Sequence, residues 1–301
     1  MATERLDPEV ECATIEGNTA IGGKLALIVS YDGSGFAGSQ AQSGVRTVQA
    51  ELERALVQFA GRSLATVFAG RTDRGVHAIG QVVGCDDARP GLEPEAIRRA
   101  LTAHLPDDVA VNRVERRHAG FHARYDATWR EYRYRVRVGR WQPLGRGTVW
   151  QRSGALDLDA MRRAAARLVG KHDLASFAGG GEGVPWSERH TRPRGAVRRV
   201  VHCDCRTVEP AVGWFGSADG GQLFEVRVVA DGFLPRMVRN IVGALVEVGR
   251  GARTDAWIDD LLTARDRRCG PKAAPPHGLI LWRVGYGDDT ADHVNDAPHK
   301  R

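Results

Sequence analysis

An aspartate between two arginines marks the part of the sequence that is best suited to chemistry. Asp73 lies at the tip of a predicted tight turn between Arg71 and Arg74, with glycines at positions 70 and 75. Arginine neighbours favour the ionised form of a carboxylate, and an ionised carboxylate can act as a nucleophile or a base. Aspartate and glycine are also frequent in turns that do no chemistry. Local features alone therefore favour a structural turn and leave the catalytic interpretation open.

Other reactive side chains fit known chemistry less well. A single histidine such as His77 is more often a structural hydrogen-bonding residue than a catalytic partner. In segment 202–205 the two cysteines of a strand would face away from His202 and Asp204, and no second ligand pair lies at zinc spacing. Segment 179–183 is rich in glycine but lacks the Gly-Lys-Ser/Thr of a phosphate loop, so it is interpreted as a flexible surface loop. We expect no metal and no cofactor.

The composition is that of a globular protein with locally concentrated positive charge. The 301 residues are 42% hydrophobic and 27% charged, with a net charge of +6. Nine arginines lie in 112–140 against three acidic residues, and six lie in 189–206 against one. Such clusters favour a polyphosphate partner, although a solvated arginine-rich surface would have the same composition.

The sequence also predicts where in the cell the protein is located. No apolar segment approaches the roughly 20 residues of a membrane span, and the first residues lack a signal-peptide pattern. The five cysteines, at positions 12, 85, 203, 205 and 269, are scattered and odd in number. This usage predicts a reduced, cytoplasmic compartment and no contact with a membrane.

The apolar periodicity predicts two halves with the same order of elements. In the first half we expect strands at 24–31, 65–70, 77–84 and 109–116, with helices after Thr47 and at 93–103. In the second we expect strands at 129–138, 196–207, 222–230 and 279–286, with helices from Asp157 towards Gly170, at 235–249 and at 254–264. Each half is roughly β-α-β-β-α-β, the ferredoxin-like order, which predicts an α+β fold with a mainly antiparallel sheet backed by helices.

This pattern also predicts the domain organisation. Residues 1–22 and 287–301 are polar tails without periodicity, which we interpret as disordered. Residues 23–122 form the half that contains Asp73, and residues 123–286 form the half that completes a cleft. Strand 129–138 alternates clearly, with Tyr132 and its neighbours at even positions on one face and arginines on the other.

Several segments resemble one enzyme family. Residues 70–78 (GRTDRGVHA), followed by Gly80, Gln81 and Val82, resemble the signature of the tRNA pseudouridine synthase A family. Further similar segments occur in the family's order at 31–36, 40–49, 121–124, 130–134, 232–243 and 274–281. The chain departs from the family pattern at Arg74, Ser39 and Leu174, where alanine, tryptophan and phenylalanine are usual.

The resemblance implies a fold, a reaction and a site. It implies the pseudouridine synthase fold with a basic cleft, a homodimer, no cofactor, and isomerisation of uridines 38, 39 and 40 in the anticodon stem-loop of tRNA. Asp73 matches the essential aspartate, and Arg239 matches the arginine that pairs with it. Tyr132 matches the family's aromatic residue that stacks on the target base. Arg71 matches the arginine that is associated with base flipping in the family. We further expect RNA backbone contacts from Arg74, Arg124, Arg133 and Arg135.

Two other functions remain open at this stage. One is a synthase of the same fold with a different RNA target, and the other is a non-catalytic RNA-binding protein. The combination of Asp73 with Arg71, Tyr132 and Arg239 argues against the second, because a binding protein needs no carboxylate among its phosphate contacts.

Overall fold

In the part of the chain that the structure describes, ten strands form a single mainly antiparallel sheet. The computed structural model describes residues 23–179, 195–208 and 221–287. The strands are β1 (Lys24–Tyr31), β2 (Val67–Phe68), β3 (His77–Asp86), β4 (Val109–Arg117), β5 (Ala127–Val138), β6 (Trp150–Arg152), β7 (Gly170–Asp173), β8 (Val197–Thr207), β9 (Gln222–Ala230) and β10 (Leu279–Tyr286). Both predicted tails, most of the glycine-rich segment 179–183 and the first part of the second arginine cluster lie outside the described residues.

Within the described residues, five α-helices pack against this sheet. They are α1 (Val48–Ala60), α2 (Pro94–Thr102), α3 (Leu158–Ala166), α4 (Met237–Gly249) and α5 (Trp257–Ala264). The predicted caps begin two of them: the Thr47 side chain accepts the N–H of Ala50, and the Asp157 side chain accepts the N–H of Ala160. Each cap pairs one of the backbone donors that a first helical turn leaves without a partner.

The strand order repeats the same topology twice. The main path through the sheet is β4-β1-β3-β10-β5-β9-β8-β7, and β2 pairs with β3. The first half is thus β4-β1-β3-β2 and the second is β10-β5-β9-β8, which is the ferredoxin-like arrangement in both cases. A short parallel pairing of β10 with β3, at Ile280–His77 and Leu281–Ala78, joins the halves. The predicted fold class is confirmed, whereas the division at residue 122 stays a prediction.

The two faces of the sheet differ in chemistry. Buried side chains from all five helices share one hydrophobic cluster with Tyr132 and Tyr134, which lie on one face of β5. On the opposite face, buried Glu131 contacts Arg133 and Arg227. The helices therefore cover the tyrosine face, and the other face is dominated by ion pairs.

Some predicted boundaries were wrong. Helix α3 ends at Ala166 and not near Gly170, because Gly170 has φ +126 and begins β7. Helix α5 begins at Trp257, three residues after Thr254, which instead accepts the N–H of Trp257 in a preceding turn. Strands β6 and β7 were not predicted, because three or four residues show too little alternation to be recognised.

The arginine cluster at 112–140 is not a free cationic surface. Most of its side chains bind acidic residues or carbonyl groups of this chain: Arg113 and Arg117 contact Glu115, Arg116 contacts Asp87, Arg133 contacts Glu131 and Glu225, Arg135 contacts Glu225, and Arg130 donates to backbone carbonyls. Much of the charge that suggested a polyphosphate partner is therefore neutralised within the fold. Within residues 23–179, 195–208 and 221–287, no helix is both long and apolar enough to cross a membrane.

Candidate active site

The Asp73 loop leads from β2 to β3 and is held as a tight turn. The N–H of Val76 donates to the carbonyl of Asp73 over 3.1 Å, and Gly75 has φ +76. That backbone conformation is readily adopted only by glycine. The turn leaves the Asp73 side chain 44% exposed, and the neighbouring side chains of Arg71 and Arg74 are also exposed.

Arg239 meets Asp73 from the other half of the fold. It lies in the first turn of α4, and its Nη1 is 3.2 Å from Oδ2 of Asp73. Its Nε donates to the carbonyl of Ala274 over 2.7 Å, while the N–H of Ala274 donates to the carbonyl of Arg239 over 2.9 Å. The Arg239 side chain is only 14% exposed. The guanidinium is therefore fixed by the backbone before β10 and presents one edge to the carboxylate.

Tyr132 lies beneath the loop, in the middle of the sheet. Strand β5 pairs it with Leu281 on one side and Val228 on the other. A Cβ at Gly70 would lie 3.4 Å from the Tyr132 hydroxyl, so the start of the loop lies in van der Waals range of this side chain. Phe233 packs edge-on against the ring at 4.8 Å between centroids, and Tyr132 is only 7% exposed. Burial raises the pKa of the Tyr132 phenol, and the charge of Asp73 raises it further.

A buried polar network, which the sequence did not indicate, holds the start of the loop. The Gln81 side-chain amide makes the same two hydrogen bonds with the Gly70 backbone that a residue of a neighbouring strand would make. Its Nε2 donates to the Gly70 carbonyl over 2.7 Å, and its Oε1 accepts the Gly70 N–H over 3.3 Å. Tyr31 and Thr72 share a hydrogen bond of 2.7 Å between their hydroxyl groups. Burial raises the pKa of Tyr31 to about 12, so this hydroxyl remains protonated. In the sequence, Gln81 was visible only as part of the family signature and as a polar residue beside Val82 and Val83; neither feature indicated its contact with Gly70.

Ser39 adds two hydrogen bonds to the same loop. Its hydroxyl accepts the N–H of Thr72 over 2.9 Å, and its N–H donates to the Thr72 carbonyl over 3.0 Å. Ser39 is buried. Ser39 therefore fixes the residue immediately before Asp73.

His77 has a structural role, as expected. Its Nδ1 accepts the N–H of Gly33 over 3.1 Å, and its Nε2 lies 2.8 Å from the carbonyl of Gly147. The same Nε2 is 3.2 Å from the carbonyl of His277. This buried imidazole connects the beginning of β3 to three surrounding segments, so it supports the loop from below.

The structure brings some of the predicted RNA-binding residues to the site and not others. Arg71 and Arg74 flank Asp73, and neither makes an ion pair within the described residues. Arg130 donates hydrogen bonds to the carbonyls of both Arg124 and Ala69, and Ala69 immediately precedes the loop. The structure does not bring Arg133 and Arg135 to this side, because they alternate with Tyr132 and Tyr134 along β5 and face away. Both bind Glu225.

The cysteine segment does not form a metal site. Cys203 and Cys205 are buried in the hydrophobic cluster, while His202 and Asp204 alternate with them on the other face of β8. Burial raises the pKa of the Cys203 thiol to about 12, which disfavours the thiolate that binds metals. Among the residues that the structure describes, no three His, Cys, Asp or Glu side chains lie together as metal ligands.

Comparison with known proteins agrees with this geometry. A family model described as tRNA pseudouridine synthase matches residues 27–126 and 164–287, which is more than half of the chain. The chain belongs to the tRNA pseudouridine synthase family. Both parts of the match contain site residues, since Asp73 lies in the first and Arg239 in the second.

Individual relatives are similar along nearly their whole length. The chain is 38% identical over 265 residues to tRNA pseudouridine synthase A of Geobacillus sp. strain WCH70, which covers 87% of this chain and 98% of that one. It is 42% identical over 274 residues to the protein of the same name from Solidesulfovibrio magneticus, covering 88% and 91%. Shouchella clausii has another at 38% identity over 277 residues, covering 91% and 97%. The tRNA pseudouridine synthase described here is therefore an isomerase that converts uridine to pseudouridine in tRNA.

Proposed function

We propose that this enzyme isomerises uridines 38, 39 and 40 in the anticodon stem-loop of tRNA, with Asp73 as the essential catalytic residue. The observation that carries the proposal is the contact between Asp73 and Arg239, which come from different halves of the fold; the same loop approaches the Tyr132 hydroxyl at Gly70. These contacts support a site that combines one carboxylate, one fixed guanidinium and one aromatic ring.

The reaction requires few chemical groups. The bond between N1 of uracil and C1′ of ribose breaks, the ring turns, and a new bond joins C5 to C1′. C5 loses a proton and N1 gains one, so atoms and electrons balance without an oxidant or a reductant. A single carboxylate can act as the nucleophile or the base. Arg239 contacts this carboxylate at one oxygen and fixes its direction.

The target base has to leave the RNA stack to reach Asp73. Extruding a base costs a few kcal/mol, and stacking on an aromatic ring returns about 1–3 kcal/mol. We assign that stacking to Tyr132 and the displacement of the base to Arg71, which is exposed beside Asp73. Because Phe233 packs against the Tyr132 ring and Tyr132 is only 7% exposed, we propose that the incoming uracil displaces Phe233.

Tritium release from C5 of uridine tests the proposal. Full-length tRNA transcripts labelled at C5 should release tritium with the wild-type enzyme, whereas Asp73→Asn should bind the same tRNA and release none. Asp107→Asn is the matched control, because Asp107 is an exposed carboxylate that forms no ion pair within the described residues. Release by Asp73→Asn would overturn the role of Asp73.

Substitutions in the RNA test the target positions. Changing uridines 38, 39 and 40 to cytidine should abolish release from the anticodon arm. Release that persists would favour a synthase of the same fold with another target, and binding without any release by the wild type would favour a non-catalytic RNA-binding protein. We also propose that the enzyme is a cytoplasmic homodimer, and light scattering of the purified protein measures its oligomeric state.

RNA backbone contacts are proposed for the arginines nearest the site. Arg74 and Arg124 lie beside the Asp73 loop, and neither makes an ion pair within the described residues. Each phosphate contact contributes about one unit to the dependence of log affinity on log salt concentration. Arg74→Ala should therefore reduce this slope by about one, and an unchanged slope would rule out the contact.

A further inference from the structure

One aromatic ring is held in an exposed position that the site described above does not use. Tyr125 is 77% exposed and is the most exposed large apolar side chain within the described residues. It lies in the turn between β4 and β5. Its ring stacks on that of His122, with 4.1 Å between centroids and 22° between planes. One face of the tyrosine is therefore supported from behind, and the other faces solvent.

The turn is rigid because its polar groups are paired. The His122 Nδ1 accepts the N–H groups of Arg124 and Tyr125 over 3.3 and 3.1 Å. The Asp126 carboxylate accepts the N–H of His122 over 2.8 Å. On one side of this turn, Ala123 is buried and its carbonyl accepts the Tyr286 hydroxyl. The ring is thus ordered before any ligand arrives, which reduces the entropy lost on binding.

A single arginine connects this turn to the Asp73 loop. Buried Arg130 donates from Nη2 to the Arg124 carbonyl over 2.6 Å and to the Ala69 carbonyl over 3.0 Å. Ala69 immediately precedes Gly70, where the loop begins. The Tyr125 ring and the Asp73 carboxylate are therefore carried by neighbouring segments with a fixed connection.

The charge around the ring suits a nucleic acid. The Arg124 guanidinium is partly exposed and makes no ion pair within the described residues. An arginine beside a flat, exposed aromatic face can contact a phosphate while the ring contacts a base, which is how single-stranded nucleic acids are commonly held.

We propose that Tyr125, supported by His122, is a stacking platform for an unpaired nucleobase that flanks the target uridine. The inference rests on the proposed action on tRNA and extends it, because it assigns a second base contact outside the catalytic pocket. The ligand is a nucleobase of any type, since stacking on a ring depends little on base identity. Arg124 contacts the adjoining phosphate.

Three variants of the full-length enzyme test this platform. Tyr125→Ala removes the ring, Tyr125→Phe keeps it, and Trp141→Ala removes a different exposed ring as a matched control. Trp141 is 68% exposed and follows the C-terminal end of β5, whereas Tyr125 precedes its N-terminal end; at 3.3 Å per residue, a strand of this length extends about 40 Å. Because both rings are exposed, none of these changes should alter folding, and thermal melting checks this.

Affinity for full-length tRNA and KM for tritium release are the readouts. We expect Tyr125→Ala to weaken binding and raise KM about five- to tenfold, and we expect Tyr125→Phe and Trp141→Ala to behave as the wild type. Unchanged binding by Tyr125→Ala would overturn the platform, and so would equal losses in Tyr125→Phe or Trp141→Ala. Because binding is measured on whole tRNA, the binding result tests the stacking platform even if the modified uridine lies outside the anticodon arm.

A fluorescent base reports the contact directly. 2-Aminopurine, placed in turn at each nucleotide beside the target uridine, loses fluorescence when it stacks on an aromatic ring. Quenching at one position should occur with the wild type and Tyr125→Phe and be lost with Tyr125→Ala. Quenching that is the same in all three proteins would show that no flanking base stacks on this ring.

Discussion

Replacing Gln81 with leucine tests whether the buried amide positions the Asp73 loop. The amide makes two hydrogen bonds to the backbone of Gly70 and a longer one of 3.4 Å to the Tyr31 hydroxyl. Leucine has a similar volume but leaves these three groups without their partner. A net contribution of about 1 kcal/mol per hydrogen bond predicts a loss of about 2–3 kcal/mol in the free energy of unfolding, measured in urea.

The same change should also reduce the activity of the molecules that remain folded. Gly70 begins the turn that carries Asp73, and a displacement of about 1 Å at a reacting group can cost about 100-fold in rate. We therefore expect kcat for tritium release to fall at least tenfold at a temperature where the variant is folded. Leu101→Ala is the control, because it empties a buried site in α2 and costs about 2–5 kcal/mol without contacting the loop. A Gln81→Leu enzyme with normal kcat, or with normal stability, would refute the reasoning.

Gln81→Glu adds a dependence on pH with a defined sign. The new carboxyl group would be buried and would face the Gly70 carbonyl, so only its protonated form could donate there. Its pKa in the folded state is therefore raised above the value in the unfolded chain. The added stability is present at low pH and is lost as the pH rises through the folded-state pKa. Stability close to that of the wild type at the same pH is expected near pH 4, below the unfolded glutamate pKa of about 4.3, and a Gln81→Leu-like loss is expected near pH 8. A variant that gains stability with rising pH would contradict this.

Three further outcomes are expected. Arg239→Lys keeps the charge but cannot bind the neighbouring carbonyl and the carboxylate together. We therefore expect kcat to fall at least tenfold with little change in melting temperature, whereas a large drop in melting temperature as well would indicate a structural role. At pH 8 a thiol reagent should modify exposed Cys269 quickly and Cys85 only on unfolding, because burial raises the pKa of Cys85 to about 12; rapid modification of both would contradict the packing. Glu131→Gln leaves buried Arg227 without its carboxylate and should cost about 3–5 kcal/mol, whereas an unchanged urea midpoint would show that the pair contributes nothing.

The parts of the fold that local physics determines were predictable. The cap residues Thr47 and Asp157 begin their helices as expected, because the bond each one makes is to a residue three positions away. Strands such as β1 and β10 have the predicted bounds, since alternation and apolar content are visible within eight residues. The repeated β-α-β-β-α-β order then led to the correct fold class.

Contacts between residues that are far apart in the sequence could not be predicted. Alternation on β5 predicted an arginine face, but the acidic partners of that face include Glu225, about 90 positions later. Without that pairing, the arginines looked available to RNA. Likewise Ser39 and Gln81 contact the loop across 33 and 11 positions, and no local pattern specifies such a bond. The roles of Asp73, Arg239, Tyr132 and Arg71 remain predictions.

The position of β10 has a consequence for the biogenesis of the enzyme. This strand is the last along the described chain, yet it is inserted between β3 and β5, in the middle of the sheet. Until it leaves the ribosome, two half-sheets exist with unpaired inner edges of the kind that promote aggregation. The segment that fixes Arg239 also emerges only then. A nascent chain stalled before residue 279 should therefore depend on chaperones and should be unable to modify tRNA.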